Sequence, residues 1–179
     1  IRGMMENSDS IFILGHQGMD FDCMGAALGT SLIAQSINKE VYIVANKIEI
    51  EEKLAGVIER ENDILSQRHQ FISEEQALEL IKPQSLAIVV DHHTSDLCAT
   101  PKLLETLKRA IVIDHHRRRK DDNIRASMVY LETSASSTTE LLVELMQYQP
   151  TKIELVPQEA NIMLAGMLVD TNHFRNHSS

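Results

Sequence analysis

Three apolar runs in this chain each end abruptly in acids and imidazoles. Ile111-Val112-Ile113 stops at Asp114-His115-His116, and Leu86-Ala87-Ile88-Val89-Val90 stops at Asp91-His92-His93. Ile11-Phe12-Ile13-Leu14 gives way to Gly15-His16 and then, within one loop, to Asp20 and Asp22, and Asp170 follows late in the chain. Several carboxylates buried together are strongly unfavourable unless cations or protons share the site. Two divalent metal ions would satisfy such a set. Carboxylate and imidazole donors with no thiolate among them suit Mn²⁺ best, suit Mg²⁺, Fe²⁺ or Co²⁺ less well, and argue against a structural zinc site. Taken singly, His16 reads as a loop histidine held by backbone, Asp20 as a loop acid, Asp22 as a helix cap and Asp170 as a solvated acid at a helix end. The spacing His-x-x-x-Asp-x-Asp is more specific, because one loop can then point three ligands at two centres.

The elements that must position these residues follow from the apolar pattern. A β-branched run with nothing to solvate it reads as a strand buried on both faces, so its polar terminus emerges at the sheet edge, where open α/β sheets bind ligands. Strands are expected at 11–14, 41–45, 86–90 and 111–113, with an edge strand at 128–131. After a polar lead, Asp22 is expected as the N-cap of a helix running to about residue 38, with Gly25, Ala26, Ala27 and Gly29 small enough to let it lie close on the sheet. Residues 49–80 read as mostly helical and charged, with a break at 70–73. Pro101 starts a short helix, Ser and Thr residues of 133–137 cap a helix over 138–148, and Pro157 opens a last helix that brings Asp170 near its C-terminal end. Strand, helix, strand in that order implies a parallel sheet and one α/β domain over 1–179.

Composition sets the outer bounds. A chain of 179 residues with 43% hydrophobic content supports one sizeable core. A formal charge of −9 argues against a duplex nucleic acid footprint, though not against an anionic substrate held through metal ions. The two cysteines, Cys23 and Cys98, have no ligand-like spacing, which points to a reduced, intracellular setting. No apolar run reaches the roughly 18 residues of a spanning helix. The chain begins at Ile1 and ends in a polar stretch, so it is expected to be a piece of something longer, with any membrane anchor or second domain out of view.

The order Gly15-His16, Asp20, Asp22, Asp91, Asp114-His115-His116 and Asp170 resembles the DHH phosphoesterase superfamily along essentially the whole chain. That family's core is a parallel sheet flanked by helices. Within it the likeness is greatest to the GdpP-type cyclic dinucleotide phosphodiesterases. It rests on Arg117-Arg118 after the motif, on Tyr130-Leu131-Glu132, on Ala135-Ser136-Ser137, and on Gly166-Met167-Leu168-Val169-Asp170-Thr171. The resemblance implies two Mn²⁺ ions, one held by His16, Asp20 and Asp91, the other by Asp22, Asp91, His115 and Asp170, with Asp91 bridging. His92 and His93 receive no ligand role. Asp114 would orient His115 or neighbouring backbone, and His116 would donate to a phosphate oxygen or protonate the leaving alkoxide. Arg117 and Arg118 would clamp phosphate, and Ser136 and Ser137 would offer backbone N–H groups to it.

The implied reaction is hydrolysis of cyclic di-AMP to its linear dinucleotide. A nano-RNA or 3′,5′-bisphosphonucleoside hydrolase and an inorganic pyrophosphatase are the alternatives within the family, and short oligonucleotides are alternative substrates. A metal-binding but inactive module is the alternative outside it. The family's second domain, DHHA1, which shapes specificity in cis, is absent from this sequence, and a homodimer is compatible with the pattern. The resemblance also implies a cytoplasm-facing domain on a membrane-anchored parent.

Overall fold

The computed structural model describes residues 1–178, with side chains described through Leu168. The polar lead folds as helix α1 (Arg2–Glu6), docked through buried Met5 with Ile1 and Met4 packed beside it. Among the described residues, β1 (Ile11–Leu14), β2 (Val41–Val44), β3 (Phe71–Ile72), β4 (Leu86–Val90), β5 (Arg109–Asp114) and β6 (Met128–Leu131) form one sheet. Its order is β3-β2-β1-β4-β5-β6, with every neighbouring pair parallel. The expected α/β class is therefore the observed one. The break at 70–73 holds β3, a two-residue strand too short to show a period.

Successive residues of each central strand face opposite cores. Ile11, Ile13, Ile88, Val90, Ile111 and Ile113 enter one cluster, while Phe12, Leu14, Ala87, Val89 and Val112 enter the other. Apolar demand on both faces is why these strands read as unbroken hydrophobic runs, each buried Ile contributing roughly 1.5–3 kcal/mol. Helix α2 (Phe21–Ser36) crosses from β1 to β2, and α3 (Glu52–Arg60) and α4 (Asn62–Arg68) cross from β2 to β3, all on the first face. Helices α5 (Glu74–Leu80) and α6 (Pro101–Thr106) cover the second face. The change of face follows from right-handed crossovers once the strand order reverses at β1. The chain then returns to the first face as α7 (Thr138–Gln147) and α8 (Pro157–Ser178). Helix α8 runs past Asp170 rather than ending near it. Among the described residues no helix is long and apolar enough to cross a membrane.

The small residues of α2 serve helix packing as well as the sheet. A Cβ at Gly25 would lie 2.6 Å from Thr139 Oγ1, and one at Gly29 would lie 2.9 Å from Leu142 Cβ, so α7 seats directly on them.

A buried ionic cluster ties α8 to α2 and α4. Glu159, wholly buried, accepts from Arg68 Nε at 2.8 Å and bonds the His69 ring, whose Nδ1 lies 2.7 Å from Ser31 Oγ. Burial opposes the Glu159 charge, but the bonds from His69 and Arg68 prevail and hold its carboxyl down to about 2, from an ordinary 4.5. Since the folded value lies below the unfolded one, this stabilisation is fully present above about pH 4.5 and is lost as pH falls toward 2. Glu159→Gln is expected to cost on the order of 3 kcal/mol at neutral pH. In thermal melts the gap between variant and parent should close on acidification; a gap independent of pH would contradict the charge-based account.

Candidate metal centre

The strand order reverses between β1 and β4, and there the polar strand ends converge on a crevice of about 390 Å³. Its lining includes His16, Asp20, Asp91, His92, Asp114 and His116. Parallel strands put all their C-terminal ends on one rim, and at a switch point the flanking connections diverge and leave a cleft. Asp91 is the first residue beyond β4 and has a left-handed backbone, φ 64°. Such strain in a non-glycine residue is characteristic of positions held for function.

The Asp91 carboxylate faces two ways. Its Oδ2 lies 3.1 Å from His16 Nε2, which is in turn 3.5 Å from Asp20 Oδ1. Its Oδ1 lies 3.6 Å from His115 Nε2, which is 3.5 Å from Asp22 Oδ2, and it also accepts from Thr138 Oγ1 at 2.8 Å. Five of the six residues expected as metal ligands are thus gathered around one carboxylate. The sixth, Asp170, has its side chain outside the described residues.

The two acids of the first loop depart from their expected local roles. Asp20, not Asp22, caps α2, accepting from the Cys23 N–H at 2.9 Å. Asp22 instead lies buried in the first turn and accepts the N–H groups of Thr138 at 3.0 Å and Thr139 at 2.8 Å. It thereby satisfies orphan donors at the start of α7 and complements that helix's dipole.

Asp114 is a hub. Its Oδ1 accepts from the His115 N–H at 2.8 Å and lies 2.7 Å from His116 Nδ1, while Oδ2 lies 2.7 Å from His93 Nδ1. His93 Nε2 accepts from the Arg119 N–H at 3.0 Å, so its proton resides on Nδ1 and is donated to Asp114. Burial disfavours the Asp114 charge, yet the bonds from His116, His93 and the His115 N–H override it and lower its carboxyl to about 2. It is therefore ionised across the ordinary pH range, and it fixes the orientation of its two histidine neighbours. Burial also works against an imidazolium at His16, but bonds to the adjoining Asp20 and Asp91 carboxylates raise its pKa. Burial pushes the Cys23 thiol up to about 11, leaving it neutral near pH 7, so the carboxylates carry the negative potential that favours a cation here.

The remaining site candidates separate. His116, half-exposed, and Arg117 line the crevice, whereas Arg118 lines a smaller cavity with His93, Asn123 and Leu131. Ser137 is the α7 N-cap, accepting from the Glu140 N–H at 3.1 Å, and Ser136 donates through both N and Oγ to Glu140 Oε2. At the start of α7 the N–H groups of Thr138 and Thr139 bond to Asp22 and that of Glu140 to Ser137, while the Ser136 N–H is taken by Glu140.

Sequence reasoning missed Thr138 and Cys23. The ligand atoms of Cys23, His16 and Asp91 all lie within 4.8 Å of one another, so a sulfur stands beside the expected carboxylates and imidazoles. A helix-start threonine carries no signal of its own. Cys23 did carry one, since it directly follows Asp22.

A family model described as the DHH family, N-terminal domain, matches residues 10–167. This chain belongs to the DHH family. Among its relatives is the cyclic-di-AMP phosphodiesterase GdpP of Geobacillus thermodenitrificans, 38% identical over 177 residues, covering 97% of this chain and 26% of the relative. GdpP of Bacillus subtilis is 35% identical with the same coverage. The chain thus spans about a quarter of these relatives' length. The fold is shared with an exopolyphosphatase-related protein of Bacteroides fragilis, at a TM-score of 0.74 and 22% identity, covering 97% of this chain and 49% of that one. The family match takes in the Asp114-His115-His116 motif, the first loop and Gly166.

Proposed function

We propose that the crevice is the catalytic centre of a phosphodiesterase that hydrolyses cyclic di-AMP to its linear dinucleotide with two Mn²⁺ ions. His16, Asp20 and Asp91 would hold one ion, and Asp22, Asp91, His115 and Asp170 the other. The observation that carries this reading is the divided Asp91 carboxylate, one oxygen beside His16 and the other beside His115. Hard oxygen and imidazole donors in this number fit a divalent cation of the Mn²⁺ type. When bound, such ions would neutralise phosphoryl charge and raise the acidity of water. The names of the GdpP relatives support a cyclic dinucleotide as substrate.

The chain's own residues supply orientation. Asp114 holds His116 through Nδ1, so exchange of a proton with the leaving alkoxide would run through Nε2. Arg117, on the crevice wall, would engage a phosphate oxygen. The parent protein is proposed to be membrane-anchored with this domain facing the cytoplasm and a second domain completing the substrate site.

Turnover of cyclic di-AMP, a short RNA and pyrophosphate, each with Mn²⁺, tests the assignment. A preference for either of the latter two overturns it. Two bound ions with no turnover would mark this chain as a portion that acts only with its further domains. Arg117→Ala is expected to raise KM on the order of tenfold with metal content kept, the scale of a lost charge-assisted contact. Arg118→Ala should change KM less, and the opposite ranking would reassign the clamp.

A further inference from the structure

We propose that Cys23, together with His16 and Asp91, forms a thiophilic metal position inside the crevice, one that Zn²⁺ or Cd²⁺ takes in competition with the harder activating ion. The proposal rests on reading the crevice as a metal centre, and adds a donor of a different chemical kind. Two nitrogen or oxygen donors on one tetrahedral ion, with bonds of ~2.1 Å, stand roughly 3.4 Å apart. His16 Nε2 and Asp91 Oδ2, at 3.1 Å, already have that separation. The Cys23 sulfur lies within 4.8 Å of both ligand atoms, so a shift of about 1 Å brings it to its ~2.3 Å bond. Asp20 Oδ1 lies 3.5 Å from His16 Nε2, at the border of this group.

The sulfur's seat is built by its neighbours. A Cβ on Gly15 would fall 2.9 Å from Sγ, so only glycine at that position leaves the space. The Val90 carbonyl accepts from Sγ at 3.8 Å and from His92 Nδ1 at 2.9 Å. With its Nδ1 proton donated there, His92 has its lone pair on Nε2, and that atom has no hydrogen-bond partner among the described residues. His92 is only 1% exposed and its ring stands edge-on to His16, with centroids 6.2 Å apart. His92 lines the same crevice, so a buried nitrogen with an open lone pair stands in its wall, a costly arrangement that a cation there would relieve.

The chemistry is substitution without redox. The Cys23 S–H bond breaks, a sulfur–metal bond forms, and the proton leaves to buffer. Manganese and magnesium gain little from sulfur and leave the thiol protonated, whereas Zn²⁺ and Cd²⁺ gain enough to displace the proton. The position therefore discriminates between ion classes.

The test is a Cd²⁺ titration of the intact chain, followed by the ultraviolet sulfur-to-cadmium charge-transfer absorption, with Mn²⁺ binding measured in parallel by electron paramagnetic resonance. Cys98→Ser leaves Cys23 as the single thiol and should retain the band, saturating at one Cd²⁺ per chain. Cys23→Ser should abolish the band and weaken Cd²⁺ on the order of 10–100-fold, with Mn²⁺ binding retained. Should serine impair folding, Cys23→Ala carries the same expectation. Absence of the band in a chain that binds Mn²⁺, or its persistence without Cys23, overturns the thiophilic position and leaves the metal centre standing. Failure to bind either ion overturns both.

Discussion

If the proposed two-ion centre holds, Asp91→Asn is expected to lose both metal ions and about 10²–10³-fold in turnover, the scale seen when a principal electrostatic contact is removed. The size follows from geometry: the two carboxylate oxygens face His16 at 3.1 Å and His115 at 3.6 Å, so one neutralised side chain withdraws negative charge from both positions together. Asparagine is the informative replacement because it preserves side-chain volume and tolerates the left-handed backbone at φ 64°. Alanine would add a conformational cost of roughly 1–2 kcal/mol and mix stability with charge. Metal analysis on the purified variant, beside its denaturation midpoint, separates the two. Metal content equal to the parent's would show that Asp91 does not bridge.

Gly166→Ala is expected to destabilise the fold by roughly 1–3 kcal/mol and to weaken metal binding, although residue 166 is no ligand. An added Cβ would lie 2.7 Å from the Phe21 carbonyl oxygen and 2.8 Å from Asp22 Cα. Both are backbone atoms of the α2 first turn, so no side chain can rotate away and α8 must lift. That motion disturbs Asp22 at the junction of α2, α7 and α8, where it holds the Thr138 and Thr139 N–H groups. Gly56→Ala on α3 is the control, since nothing lies within 4 Å of a Cβ there, and it should be neutral or stabilising by roughly 0.5–1 kcal/mol. Equal midpoints for the two variants in denaturant titration would exclude the close α2–α8 contact as the cause.

The rim of the site was legible because it is written locally. A strand buried on both faces must be apolar throughout, and its first polar residues must mark where it leaves the sheet; Asp91 and Asp114 stand at those places. Helix α7 and edge strand β6 were legible for similar reasons, the first from its Ser-rich N-cap and the second from weak alternation. Strand β3 and helix α1 were not, since two residues and a single buried Met5 leave no period to detect. The capping roles of Asp20 and Asp22 could not be separated by sequence, because either residue type caps well and two positions are within the tolerance of any helix boundary.

What the sequence determined by itself is the chemistry available and the edge at which it gathers: acids and imidazoles at the ends of apolar strands, in the order of the DHH family. Tertiary structure alone decided which of them meet. The bond from Thr138 to Asp22 spans 116 residues and that from Thr138 to Asp91 spans 47, and no local pattern encodes a contact across such distances. The placement of Cys23 against His16 and Asp91, and of Arg118 behind His93 and away from the crevice, likewise followed from how α2 and the loop after β5 pack on the sheet. Side-chain type is a property of one position, whereas a metal centre is a property of the distances between several, and only the packed chain sets those.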